Sequence, residues 1–305
     1  MIGALNFPGR RSFALLYLLL LASVVLAVVK SAFVKQYSVC APDRNSRIFF
    51  FNLVAFGLAA LAQTILLLVT EGLPNLSLWT ILPAAGYAVS CYLMQLFLMK
   101  SMAAGPMGLS SLFCMYGLII PAVAGPLFFG ESFSIWKGLG VVFMLLAIFF
   151  SVDLKSEKSE TPKKWFVYAL LTLLFSGMVG VFEKIHQTGP DKAEIPTFLS
   201  CAFLFIFLLN LVTFPFAKKR ESAPVSYQSG LLFAFLTGLV IIFYNRINLT
   251  LAGRLPTMIY YPISSGGAVL LTLIVSILIF REPVKRRSAL CFAFGTAAIL
   301  LLGLF

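Results

Sequence analysis

Charge, and acidic charge above all, is scarce in this chain. Asp and Glu number 11 among 305 residues against 23 Lys and Arg, and charged residues make up only 11% of the sequence. A water-soluble globule carries about 25%, so the groups needed to solvate one are missing. His186 is the single histidine, which excludes an HExxH zinc site. No aspartate lies deep in an apolar run to serve an intramembrane aspartyl protease, and no GxxxxGK[ST] loop is present for ATP-driven pumping. The five cysteines, Cys40, Cys91, Cys114, Cys201 and Cys291, form no CxxC pair and read as small core residues. Neither enzymatic chemistry, a metal nor a cofactor is therefore expected.

What the chain has instead is apolar length. Apolar residues reach 60%, and the mean hydropathy is +0.99. A helix needs about 20 residues to cross the roughly 30 Å hydrocarbon layer, and lipid leaves no backbone group free to go unpaired. The apolar runs predict ten such helices, near 12–33, 48–70, 78–99, 105–128, 134–153, 165–186, 196–217, 228–251, 256–280 and 286–305. The first follows Arg10 and Arg11 but is too long for a signal-peptide core and lacks a clear cleavage site, so it is read as retained. The expected class is an all-α polytopic membrane protein.

The net charge of +12 could point to nucleic acid, but the basic residues sit in short gaps between apolar runs, as in cytoplasmic loops. No nucleic-acid partner is expected. The loops after the odd-numbered helices hold Lys35, Arg44, Arg47, Lys100, Lys155, Lys158, Lys163, Lys164, Lys218, Lys219, Arg220, Arg281, Lys285, Arg286 and Arg287, and the opposite side holds six basic residues. The positive-inside rule then places both termini outside a plasma membrane.

The longest polar interval, 155–164, divides the chain into 1–154 and 165–305. Glu131 and Glu282 stand 151 residues apart, each at a short turn, and at that offset Met107 meets Met258, Phe129 meets Phe280 and Phe143 meets Phe294. Five helices per half would make the second half enter the membrane in the opposite sense. The expected architecture is two inverted five-helix repeats, a common route to alternating access with a solute site near the midplane.

Phe128-Phe129-Gly130-Glu131 followed by Gly138 and Gly140, with Phe280-Arg281-Glu282-Pro283 at the equivalent turn, resembles the EamA-like branch of the drug/metabolite transporter superfamily along the whole chain. Arg281 departs from the pattern, standing where the first half has Gly130. The resemblance implies a secondary transporter of a small polar metabolite. Many such proteins are described with cytoplasmic termini, opposite to the charge bias here. The related small multidrug resistance proteins use a carboxylate in their first helix; helix one has none, which argues against a close copy of their cation/proton antiport.

Arg246, in Tyr244-Asn245-Arg246-Ile247-Asn248, lies well inside the eighth predicted helix. A charge at that depth costs at least about 2.5–3.5 kcal/mol unless paired or hydrated. Either it snorkels or makes a structural ion pair, or it contacts an anionic solute. Glu183, at similar depth on the sixth helix, is the expected ion-pair or coupling partner. Asn245, Asn248, Tyr92, Gln95, Ser111, Tyr261 and Ser265 are expected to line the path, although Ser and Tyr also serve as ordinary glue between helices. Lys30 is read as snorkelling, and Glu131 and Glu282 as helix caps. The expected solute is anionic or zwitterionic, such as an amino acid, carried by a monomer or homodimer. An organic-cation exporter of the same superfamily and a non-transporting scaffold are the alternatives.

Overall fold

In hydrocarbon every backbone N–H and C=O must be satisfied within the segment, and the computed structural model meets that demand with helices. It describes residues 10–40, 45–72, 76–117, 119–129, 135–151, 160–191, 194–219, 228–252, 264, 266–281 and 286–304. Among these there is no strand. The helices are α1 (Arg10–Cys40), α2 (Asn45–Thr70), α3 (Leu78–Ala104), α4 (Met107–Tyr116), α5 (Ile119–Phe128), α6 (Ile135–Ser151), α7 (Glu160–Thr188), α8 (Ile195–Lys219), α9 (Gln228–Ala252), α10 (Gly267–Leu278) and α11 (Arg286–Leu304).

Seven helical stretches are long and apolar enough to cross a membrane: Leu15–Ser38, Asn45–Thr70, Leu78–Ala104, Met107–Gly125, Lys163–Thr188, Ile195–Lys219 and Gly230–Asn248. Shorter apolar segments lie at Gly138–Ala147, Gly267–Leu278 and Ala289–Leu301. Each of the ten predicted stretches thus contains helix, with two differences. The stretch at 105–128 is broken at Gly117, and α7 begins at Glu160, so residues 160–164 of the expected linker are helical.

Most intrahelical polar side chains satisfy themselves on their own helix. Ser38, Ser90, Thr172, Thr213 and Thr237 each donate to the carbonyl four residues back, at 2.6–2.8 Å. This removes the penalty of carrying a hydroxyl in an apolar setting. Outward faces are apolar: Leu15, Leu18, Leu21 and Val25 on α1, and Val167, Leu170 and Leu174 on α7, are exposed. Water would not favour such stripes; lipid does.

The two halves of the chain interleave. The principal packings join an early helix to a late one: α3 with α7, α2 with α8, α1 with α9, α6 with α11 and α4 with α10. One core draws mainly on α1, α2, α3, α8 and α9, and a second on α4, α6, α7, α10 and α11. At the break after α4, a Cβ on Gly117 would lie 2.7 Å from the Gly177 nitrogen, and one on Gly177 would lie 2.7 Å from the Gly117 oxygen. The Ser176 hydroxyl donates to the Cys114 carbonyl at 2.7 Å. The fourth stretch and α7 thus approach closely at these two glycines, leaving no room for a side chain on either.

Lys35 corrects the loop count made from the sequence. It is buried within α1, and its ammonium donates at 2.7 Å to the carbonyls of Met102 and Gly105. Those carbonyls belong to the end of α3, where a cation satisfies both the acceptors and the helix dipole.

Candidate functional site

Helical spacing separates the inner and outer walls. On α7, Trp165, Ala169 and Thr172 are buried and Ser176 meets α4, so these residues mark the stripe that faces the bundle. Glu183 continues that stripe at 18 residues, five turns, from Trp165. It lies about 160° round from the lipid-facing Val167 at 100° per residue, yet it is exposed. The exposure falls in the last turns of α7, which ends at Thr188. Gln187, one turn further on, is exposed as well and donates to Glu183 Oε1 at 3.4 Å.

Across from α7, α3 presents Tyr87, Cys91, Met94 and Gln95 at helical spacing. Tyr87 meets Phe198 edge to face at 5.5 Å, and it interacts electrostatically with Glu183, Cys91 and Tyr244. Tyr244 on α9 in turn carries Lys30, whose Nζ lies 5.3 Å from the ring centroid. Lys30 shares the stripe of the buried Ser23, Ala27, Val34 and Tyr37 on α1. It also interacts electrostatically with Cys91 and Cys114. An ammonium over an aromatic face is held by the ring quadrupole.

Glu183, Tyr87, Tyr244 and Lys30, from α7, α3, α9 and α1, thus share one neighbourhood, in which the Lys30 ammonium sits over the Tyr244 ring. Cys114 adds a soft wall from α4, with its Sγ 3.9 Å from Met94 Sδ.

The residues singled out from the sequence divide. Asn248 lies one turn from Tyr244 on the same stripe, half-buried, and its Oδ1 is buried without a hydrogen-bond partner. Gln95 is buried one turn from Cys91. Ser111 is buried one turn from Cys114, and its Oγ has no partner. Asn245 donates to its own helix, to the Ile241 carbonyl at 2.9 Å. Tyr92 stacks on Phe49 at 5.7 Å, between α2 and α3. Tyr261 and Ser265 lie outside the described residues, as do Glu131 and Glu282.

Arg246 is placed differently from Glu183. It falls within about 60° of Leu232, Phe235 and Phe243 on the helical projection, and all four are exposed. Tyr244 points about 160° away, toward Lys30. With α7 packed on α3, α4 and α5, and α9 on α1 and α2, Glu183 and Arg246 belong to different walls. Lys30, on the buried stripe of α1, joins Tyr244 on the inner side of α9. The signal that could have found it is periodicity: Lys30 falls on the buried stripe of α1, whereas a snorkelling lysine would fall on the stripe of Leu18, Leu21 and Val25.

Comparison with known proteins bears on the fold. No protein-family model matches the chain. An uncharacterized protein of Haemophilus influenzae is 25% identical over 187 residues, 60% of this chain. The matched region covers 61% of that relative's own length. A solved crystal structure aligns with 93% of this chain and 96% of its own, with a TM-score of 0.58 at 14% identity. That likeness extends over nearly all of both chains and concerns the fold alone.

Proposed function

We propose that the chain is a multi-pass secondary transporter of the plasma membrane that moves a small zwitterionic metabolite, such as an amino acid, by alternating access. The observation that carries this reading is Glu183: a carboxylate on the inward stripe of α7 that nonetheless has free surface and shares one neighbourhood with Tyr87, Tyr244 and the ammonium of Lys30. In this reading Lys30 takes the solute carboxylate, Glu183 takes its ammonium group, and the tyrosines and Met94 cover its apolar part. Charge-assisted contacts at both ends discriminate against solutes that carry only one charge.

The packing supports an inverted repeat. Let α1, α2, α3, α4 with α5, and α6 correspond to α7, α8, α9, α10 and α11. Exchanging the halves turns the contact of α3 with α7 into that of α9 with α1, and α3 with α8 into α9 with α2. It turns α4 with α7 into α10 with α1, and it maps the pairs α2 with α8, α4 with α10 and α6 with α11 onto themselves. All of these contacts are present. A pseudo-twofold of this kind lets one chain present the same site to either side by exchanging the roles of its halves. Membership of the EamA-like branch, ten spans and outside termini all fit this reading and form part of the proposal.

The purified protein in nanodiscs should be screened by thermal shift against amino acids, sugar phosphates, nucleotides and quaternary amines. Stabilisation by amino acids, lost in Lys30→Met and in Glu183→Gln, is the expected result. Stabilisation by quaternary amines that survives in Lys30→Met would favour the cation-exporter alternative. No stabilisation by any class, with no counterflow in proteoliposomes, would leave the scaffold.

A further inference from the structure

Asn52 on α2 and Asn210 on α8 break the rule that polar side chains here satisfy themselves. Both are almost fully buried. Asn52 has no hydrogen-bond partner for either its Nδ2 or its Oδ1. Asn210 donates to the Ile206 carbonyl at 2.7 Å, which leaves its Oδ1 without a partner. In an apolar surrounding such groups are costly to leave unmade, and native structures rarely do so without a reason.

Their level in the bundle follows from the packing of α2 on α8. Gly57 faces Phe207, Phe56 meets Phe203, Phe50 meets Phe214, and Ser200 donates to the Gln63 carbonyl. Residue numbers rise on one helix as they fall on the other, so the pair is antiparallel. The same register puts Asn52 opposite the turn that contains Asn210. The open donor of Asn52 and the open acceptor of Asn210 are therefore complementary and at matching depth on two helices already in contact. A cation would leave the Asn52 donor unanswered, whereas the Asn210 Oδ1 can accept from it.

The place matters as well. α2 belongs to one half and α8 to the other, so in the alternating-access reading a movement of the halves against each other is felt at this contact. We infer that Asn52 and Asn210 are the two parts of a sliding lock between α2 and α8. Their hydrogen bond is unmade in the facing described here, with Glu183 accessible, and it is made in the opposite facing. The lock rests on the alternating-access reading and adds to it a specific element with two arrangements.

The test uses the full chain in native membranes, with its five native cysteines changed to Ser. In that background Asn52→Cys with Asn210→Cys is oxidised with copper phenanthroline and air. An intrachain 52 to 210 disulfide, read by mass spectrometry, is expected; its absence overturns the lock. A separate arm follows the labelling rate of Glu183→Cys with an impermeant maleimide. Asn52→Ala and Asn210→Ala should each raise that rate by about threefold by releasing the opposite facing, and the double variant should go no further. Equal rates in all four backgrounds, or effects that multiply in the double variant, overturn the lock. If Glu183→Cys is labelled in none of them, the accessible cleft fails instead, and the crosslink alone decides the lock.

Discussion

Glu183 and Arg246 are both ionisable, both well within long apolar helices, and both exposed, yet they stand on opposite walls. Glu183 lies on the stripe of Trp165, Ala169 and Thr172 where that stripe becomes exposed, together with Gln187, toward the end of α7. Arg246 continues a stripe of Leu232, Phe235 and Phe243, so its exposure reports the outer surface of α9. A charge within a span has functional meaning only once its face is known. Depth alone ranks these two alike; the neighbours three, four and seven residues away separate them.

The comparison can be broken most directly at the inner wall. Lys30→Met and Glu183→Gln are each expected to weaken solute-dependent stabilisation and counterflow by at least about tenfold, because removing one member of a charge-assisted contact typically costs 2 kcal/mol or more. Retained affinity in either variant would remove that residue from the site. The next effect tests what holds the inner wall in place. Gly177→Leu puts a side chain where the Gly117 backbone lies and should lower the apparent Tm by several degrees, in line with about 1–3 kcal/mol for overpacking, read by thermal unfolding in nanodiscs. Lys35→Met should cost about 1–3 kcal/mol by leaving the carbonyls of Met102 and Gly105 without their donor, and it should leave the solute specificity unchanged. The smallest effect on the solute belongs to the outer wall: Arg246→Gln should leave solute stabilisation within about twofold. A large loss of solute response in Arg246→Gln would reverse the ranking of the two walls.

Much of the helical layout was legible in the sequence. Apolar runs bounded by basic clusters locate the helices because lipid imposes helix on any span, and α1 to α3 and α7 to α9 follow the predicted stretches within a few residues at most ends. The need for glycine at 117 was not legible, since it comes from the close approach of Gly177, 60 residues away in the chain. Of the residues singled out for polarity within apolar runs, Gln95 and Ser111 are buried, Asn248 is half-buried and Glu183 is exposed. The face on which Lys30 and Arg246 stand is less legible, because an apolar run shows depth more readily than direction until the neighbours' burial is known. The partnership of Tyr87 with Tyr244 depends on α3 and α9 approaching the same interior from distant parts of the chain, and no spacing along the sequence encodes it.

The interleaved cores bear on how the protein can be made. A ribosome that has released only residues up to Ser151 has supplied α3 without α7, α2 without α8 and α6 without α11, so each of these helices must wait in the bilayer with its inner face against lipid. Nothing in that arrangement requires the two halves to be covalently joined, since their recognition is carried by side chains on facing helices. Cutting the gene between the codons for Ser151 and Glu160 should therefore yield two fragments that are degraded when expressed singly and recovered together when co-expressed.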